Sequence, residues 1–206
     1  MALVKHNNNS ISAVTSVGLT QGKMTLIKEQ TASSTASISF VHGSSDVVFD
    51  NTYPIYMFKF ISIHPSVDEA DFQFNLSTDS GSNYDVTKTS TNYQAYHLEN
   101  GSSSGLYNQL SMDLAQSTSD LILSNDIGND NDQSTSGHMI IFNPSDTTFV
   151  KHFIIRMNNT QFVEYQTDYF VAGYGNTTSA INAIRFKMAS GNIDSGTIKL
   201  FGIKGS

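Results

Sequence analysis

The chain has 206 residues, 38% of them hydrophobic and only 14% charged, with a formal net charge of −7 and no cysteine. That length suits one β domain able to bury a full core, and the absence of cysteine excludes disulfide staples, thiolate catalysis and cysteine-held zinc. The 11 basic residues are scattered singly, which argues against a nucleic-acid partner, and no apolar run approaches the ~20 residues of a membrane-spanning helix.

Residues 1–20 are rich in Asn, Ser and Thr with single aliphatics, and read as an extended N-terminal arm. Leu3 and Val4 are followed by Lys5, His6 and three asparagines, so the opening lacks the apolar run of a secretory signal. Residues 21–206 read as a single domain. Segments 23–28 (KMTLIK) and 36–41 (ASISFV) are short and β-branched or aromatic, as strands are. Segment 55–63 (IYMFKFISI) gives the strongest strand pattern. Both of its alternating sets are mostly apolar, which predicts a central strand covered on both faces. Pro54 and Pro65 bracket it, where a missing N–H does least harm. Segment 71–76 sets Phe72, Phe74 and Leu76 against Asp71, Gln73 and Asn75, the alternation of a half-buried strand. The turn cluster at 78–83 and a restart at 84–88 predict a hairpin.

Segment 93–98 (YQAYHL) is a further candidate strand, and 99–105 reads as loop. Leu106, Leu110 and Leu114 fall at helical spacing and predict one short helix. A short strand at 121–123 precedes a long polar loop at 125–137. Segment 138–142 (HMIIF) runs into the Asn143-Pro144 turn. Segments 148–157 and 162–174 read as long strands, the second with a bend near Gly173. Segment 180–188 alternates Ile184, Phe186 and Met188 against Arg185 and Lys187, and 197–203 is expected to pair with it across the turn at 190–192. Short strands at this spacing, with Ser, Thr and Asn filling 66 of 206 positions, predict an all-β antiparallel β-sandwich, jelly-roll-like, with the arm at one end.

Motifs that carry chemistry are sparse. Asp126, Asp130 and Asp132 offer oxygen ligands for calcium. Their spacing is not that of an EF-hand, and acidic turns are also ordinary sandwich surface. The six histidines show no i, i+4 or H-x-H spacing that would pair them on zinc. No G-x-S-x-G elbow and no lysine-bearing phosphate loop occurs, and no carboxylate pair stands out as a glycosidase would need. The expectation is a protein that is not an enzyme and needs no cofactor. Nine tyrosines with no tryptophan form an amphipathic set. Tyr93, Tyr96, Tyr107, Tyr165, Tyr169 and Tyr174 could stack on sugar rings if exposed, or simply half-bury in strands.

Several segments are familiar together: MALVKHNNNSISAVTS, YPIYMFKFISIHPS, FNLSTDSGSNYDVTKT, GNDNDQSTSGHMIIFNPS, TTFVKHF, FVAGYGNTTSAINAIRFKM and the closing SGNIDSGTIKLFGI. They resemble small virion structural proteins, tail or appendage components, of marine tailed bacteriophages such as those infecting cyanobacteria. The closing segment is the most specific part. The resemblance implies a place, the virion, assembled in the host cytoplasm without a signal peptide. It brings no catalytic residues. It implies partners among further copies of the chain, as a trimer, and among other virion proteins. Two other readings stay open: a receptor-binding module for host-surface glycan, and a capsid decoration protein.

Overall fold

Alternation with a period of two places one side chain in two on a buried face, and this pattern recurs through the computed structural model, which describes residues 24–204. The described residues form twelve strands: β1 (Met24–Thr31), β2 (Ser37–Val41), β3 (Ile55–Pro65), β4 (Ala70–Ser77), β5 (Lys88–Leu98), β6 (Ser104–Asn108), β7 (Leu121–Ile127), β8 (Thr135–Phe142), β9 (Lys151–Thr160), β10 (Tyr165–Gly175), β11 (Ala183–Met188) and β12 (Ile193–Ile203). They make two sheets with every ladder antiparallel. The large sheet runs β1-β12-β3-β8-β9-β10-β5-β6 and the small one β2-β11-β4-β7. The protein is therefore an all-β antiparallel sandwich. The hairpins β5–β6 and β9–β10 widen the large sheet; without them four strands, β1-β12-β3-β8, would face four, β2-β11-β4-β7.

The core lies between the sheets and is built on phenylalanine. Phe186 of β11 sits at its centre, with the rings of Phe58 and Phe60 both 5.1 Å away and edge-on. Phe72 stacks on it at 6.0 Å, and Phe40 and Phe74 complete the ring of neighbours. Each such pair adds about 0.5–1.5 kcal/mol beyond its burial. Phe72, Phe74 and Leu76 point inward from β4, and Ile184, Phe186 and Met188 from β11, as the alternation predicts.

Four expectations need correction. β3 is covered on one face only. Tyr56, Phe58 and Phe60 are buried, while Lys59 and Ile61 on the other side are exposed, because the small sheet packs against one side of the large sheet. Residues 78–88 do not form a hairpin with β4, which pairs instead with β11 and β7. The chain crosses here to the other sheet, and β5 starts at Lys88 and absorbs the 93–98 strand. β12 likewise pairs with β1 and β3, not with β11, so the 190–192 turn joins the two sheets. The leucine spacing gives no α-helix. Leu106 lies in β6, Leu110 opens a single 3-10 turn (Leu110–Met112), and both are about 70% exposed. Three strands also start or end inside expected loops. β6 begins at Ser104, and β7 and β8 leave only 128–134 of the predicted 125–137 loop. The proposed arm at 1–20 lies outside the described residues.

Candidate functional site

Two surfaces of the large sheet carry unusual chemistry. The first is its outer face, away from the small sheet. Leu26, Phe201, Met57, Ile140, Ile154 and Ala172 lie in register across six neighbouring strands. None is buried, and Leu26 and Ile154 are about half exposed. A second row, Met24, Ile203, Ile55 and Phe142, runs beside it. On the other flank Lys199, Lys59, His138 and Arg156 form a basic row. Burial, then the neighbouring Arg156 and Lys59, lower the His138 pKa. Two acids interleave with the cations: Asp168 holds Arg156 through two hydrogen bonds at 2.8 and 3.1 Å, and Glu29 meets Lys199 at 2.9 Å. Arg156 also lies over the ring of Phe170, on which Tyr93 stacks at 4.8 Å with the planes 5° apart. A shallow concavity of about 570 Å³ opens on this face between Phe142, His152, Ile154 and Tyr174.

The second surface is on the inner side. β7, the edge strand of the small sheet, lies over β9 and β10, so β5 and β6 run on beyond it. Met112, between β6 and β7, is buried, and Leu114 donates its N–H to Ser90 Oγ on β5, so this connection covers part of the overhang. A polar cleft of about 380 Å³ opens beside it. Tyr96 of β5 forms its wall. Tyr107 of β6 and Tyr165 of β10 meet that ring edge-on, at 5.8 and 5.3 Å. Gly105 lies directly across from Tyr96 in the β5–β6 ladder, and a Cβ there would sit 2.9 Å from Tyr96 Cε1. Glycine at 105 is what lets this ring lie against β6.

The opposite side of the cleft is a hydrogen-bonded floor. Tyr169 Oη, fully buried, donates to Asn125 Oδ1, and Gln161 Nε2 donates to both Asn125 Oδ1 (3.1 Å) and Tyr169 Oη (3.0 Å). Burial pushes the Tyr169 phenol up to about 12, so it is a neutral donor. Asn125 Nδ2 in turn donates to Asp126 Oδ2 at 2.7 Å. Burial, and after it the charge of Glu69, raises the Asp126 carboxyl pKa. Gln94 closes the floor, 3% exposed. Its Nε2 donates to Tyr107 Oη at 2.6 Å, and its Oε1 has no partner among the described residues. Burial likewise raises the Tyr107 pKa.

The cleft gathers some of the residues singled out from the sequence and leaves others apart. Tyr96, Tyr165 and Tyr107 line it and Tyr169 lies beneath it. Tyr93 and Tyr174 are on the outer face. Tyr93 and Tyr96 are three residues apart and so point to opposite sides, whereas Tyr165 and Tyr169 are four apart and share one. Asp126 faces the cleft from β7, while Asp130 and Asp132 sit on the exposed 128–134 loop. The structure does not join the three acids, and no group of three or more His, Asp or Glu able to hold a metal ion exists among the described residues. Gln94, Gln109, Asn125 and Gln161 carry the polar lining and were not singled out from sequence. The alternation of YQAYHL already put Gln94 and Tyr96 on one face.

Among the described residues no helix is long and apolar enough to cross a membrane. Compared with protein-family models, with curated proteins and with solved structures, the chain matches none.

Proposed function

We propose that the chain is a structural component of a bacteriophage virion, in a tail or surface appendage, that works by assembling with further copies of itself. The observation that carries this reading is the six-strand apolar row from Leu26 to Ala172 on the open face of the large sheet. A strand with two apolar sides is the mark of a sheet covered twice. β3 has that pattern but, within one chain, cover on one side only. A second copy supplies the other cover.

The size fits. Eight strands at ~4.8 Å spacing and about seven residues at ~3.3 Å give a face of roughly 900 Å², close to the ~800 Å² that one partner gives to a standard stable interface. The charges fit a like partner as well, since cations (Lys59, Arg156) and acids (Asp168, Glu29) lie on the same face. Identical copies close most simply about a rotation axis, and the resemblance to phage virion proteins, not symmetry itself, makes a trimer the expected form. The likeness to phage virion proteins supports the place, and so does strand order. The arrangement β1-β12-β3-β8 against β2-β11-β4-β7 is what we read as a jelly roll, an architecture used in viral capsid and lectin domains.

Sedimentation velocity of the full chain tests the assembly. The expected result is a closed oligomer that Ile154→Asp, at a half-exposed outer position, converts to a folded monomer. A wild-type protein that stays monomeric at high concentration overturns the reading. Detection of the chain by mass spectrometry in purified particles tests its place.

A further inference from the structure

We infer that the inner cleft between β5, β6, β7 and the start of β10 is a binding site for a neutral saccharide. The inference does not depend on the assembly reading, because the cleft lies on the opposite side of the large sheet from the apolar row.

The ligand class follows from what the cleft offers and what it lacks. One wall is aromatic, the other is amide, phenol and a single carboxylate. Sugars have the same division: C–H faces that pack on rings, and hydroxyls that both donate and accept. The volume of about 380 Å³ falls at the small end of ligand sites, which span roughly 300–1,000 Å³. That suits one or two sugar rings.

Gln94 points to a ligand independently of shape. It is almost wholly buried, one end of its amide is spent on Tyr107, and the other end has no partner. Native proteins pair nearly all buried polar groups, with protein, water or ligand, and of the unpaired ones among the described residues Gln94 is the one that lines the cleft, so its free end is open to a ligand hydroxyl. Assignment of the amide oxygen and nitrogen does not alter this. Either way round, one end is free, and a hydroxyl satisfies an amide oxygen as donor or an amide nitrogen as acceptor. Asp126 adds an acceptor of higher strength. Asn125 takes one of its oxygens and leaves the other for a hydroxyl.

Other ligand classes fit less well. No Lys, Arg or His lines the cleft, so phosphate and carboxylate ligands find no counter-charge and meet Asp126. A metal ion needs several converging ligands, and one carboxylate among neutral groups is too few. A quaternary ammonium is held in a cage whose ring faces surround it. Tyr107 and Tyr165 instead each meet Tyr96 edge-to-face, at 5.8 and 5.3 Å, so the Tyr96 ring has no gap for a cation on either contact. They make a wall.

Saturation-transfer NMR on the full chain, with methyl glycosides of glucose, galactose and mannose, N-acetylglucosamine and their neutral disaccharides, tests the site. Choline and inorganic phosphate serve as the other probes. The expected result is transfer to the C–H face of at least one saccharide, at millimolar concentration. Tyr96→Ala should weaken that binding at least tenfold, and so should Gln94→Met. Melting temperature separates binding from scaffold. Gln94→Met also loses the bond to Tyr107 Oη, so a Gln94 that serves the ligand leaves the melting temperature within about 4 °C of wild type. A Gln94 that serves the fold lowers it by clearly more than that and overturns its assignment here. Should Tyr96→Ala fail to fold, Asp126→Asn, nearly the same shape, supplies the second loss of affinity. Three results overturn the inference: no saccharide in the panel binds, choline or phosphate binds in their place, or binding survives Tyr96→Ala and Gln94→Met. Saccharide binding by an Ile154→Asp monomer, or by a wild type that never assembles, leaves this inference standing and bears only on the assembly reading.

Discussion

The inner side of the large sheet is made in two different ways. Under the small sheet it presents Phe58, Phe60 and Phe153, which meet Phe186, Phe72 and Phe74 in edge-on contacts. Beneath the edge at β7 and past it, the same side presents Thr167, Tyr169, Asn92 and Gln94, as well buried but polar. The backbone is the same kind of ladder in both halves; only the side chains differ. Apolar burial is non-directional and stabilises in proportion to area. A polar interior depends on every partner being in place, and is costly where one is not. So the phenylalanine half holds the fold, and the amide half is where a pocket can stay open. Proteins that need both a firm scaffold and a selective site have reason to separate them in this way.

The largest effect should come from the first half. Phe186→Ala removes the ring on which Phe40, Phe58, Phe60, Phe72 and Phe74 converge. It should cost about 3–5 kcal/mol, read as a fall in the urea midpoint at unchanged slope. In the second half, Tyr169→Phe deletes one hydroxyl and leaves Gln161 and Asn125 short of a partner. The expected loss is about 1–3 kcal/mol. If denaturant melts show Tyr169→Phe as damaging as Phe186→Ala, the division into scaffold half and site half does not hold.

Much of this division was legible in the sequence, and the reason is periodicity. A period of two needs no knowledge of neighbours, so the inward rows of β4 and β11 could be read directly. Pairing needs neighbours. The turns at 78–83 and 190–192 look like hairpin turns because local chemistry is the same whether a chain returns in its own sheet or crosses to the other. The burial of Asn75 was hidden for the same cause. Its side chain faces away from the core, but it is enclosed by Thr118 and Lys88 from distant segments. The cleft was half visible: tyrosines four apart share a face, but nothing local says that Gln94 loses its water or that Asp126 joins it. Reading β3 as covered on both faces was right about its two apolar sides and wrong about the cover, which the small sheet gives to one side only.

Charge buried near the polar half gives a third and smaller test. Lys88, at the start of β5, is fully buried and donates to Asn75 Oδ1 at 2.6 Å and to Val86 O at 2.8 Å. Burial lowers its pKa from the ordinary 10.5 to about 8, against the pull of Asp120 and Asp85. Below pH 8 the folded and unfolded chains both hold the proton, and stability is indifferent to this group. Between pH 8 and 10.5 the unfolded chain binds more protons than the folded one, so stability rises with pH. The tyrosines act in the opposite sense and later. Burial raises Tyr56 and Tyr169 from 10 to about 12, so the folded chain holds more protons between those values and stability falls as pH climbs through them. The two effects together place a stability maximum near pH 10. The rise toward it from pH 8 should be on the order of 1–2 kcal/mol, and Lys88→Met should remove most of it while keeping the fall above pH 10; burial lowers the Lys151 pKa as well, which leaves a smaller rise of the same sign. Thermal melts of both proteins across this range check the assignment. Parallel profiles would mean that Lys88 reaches water, and that the polar half is more open than its hydrogen bonds imply.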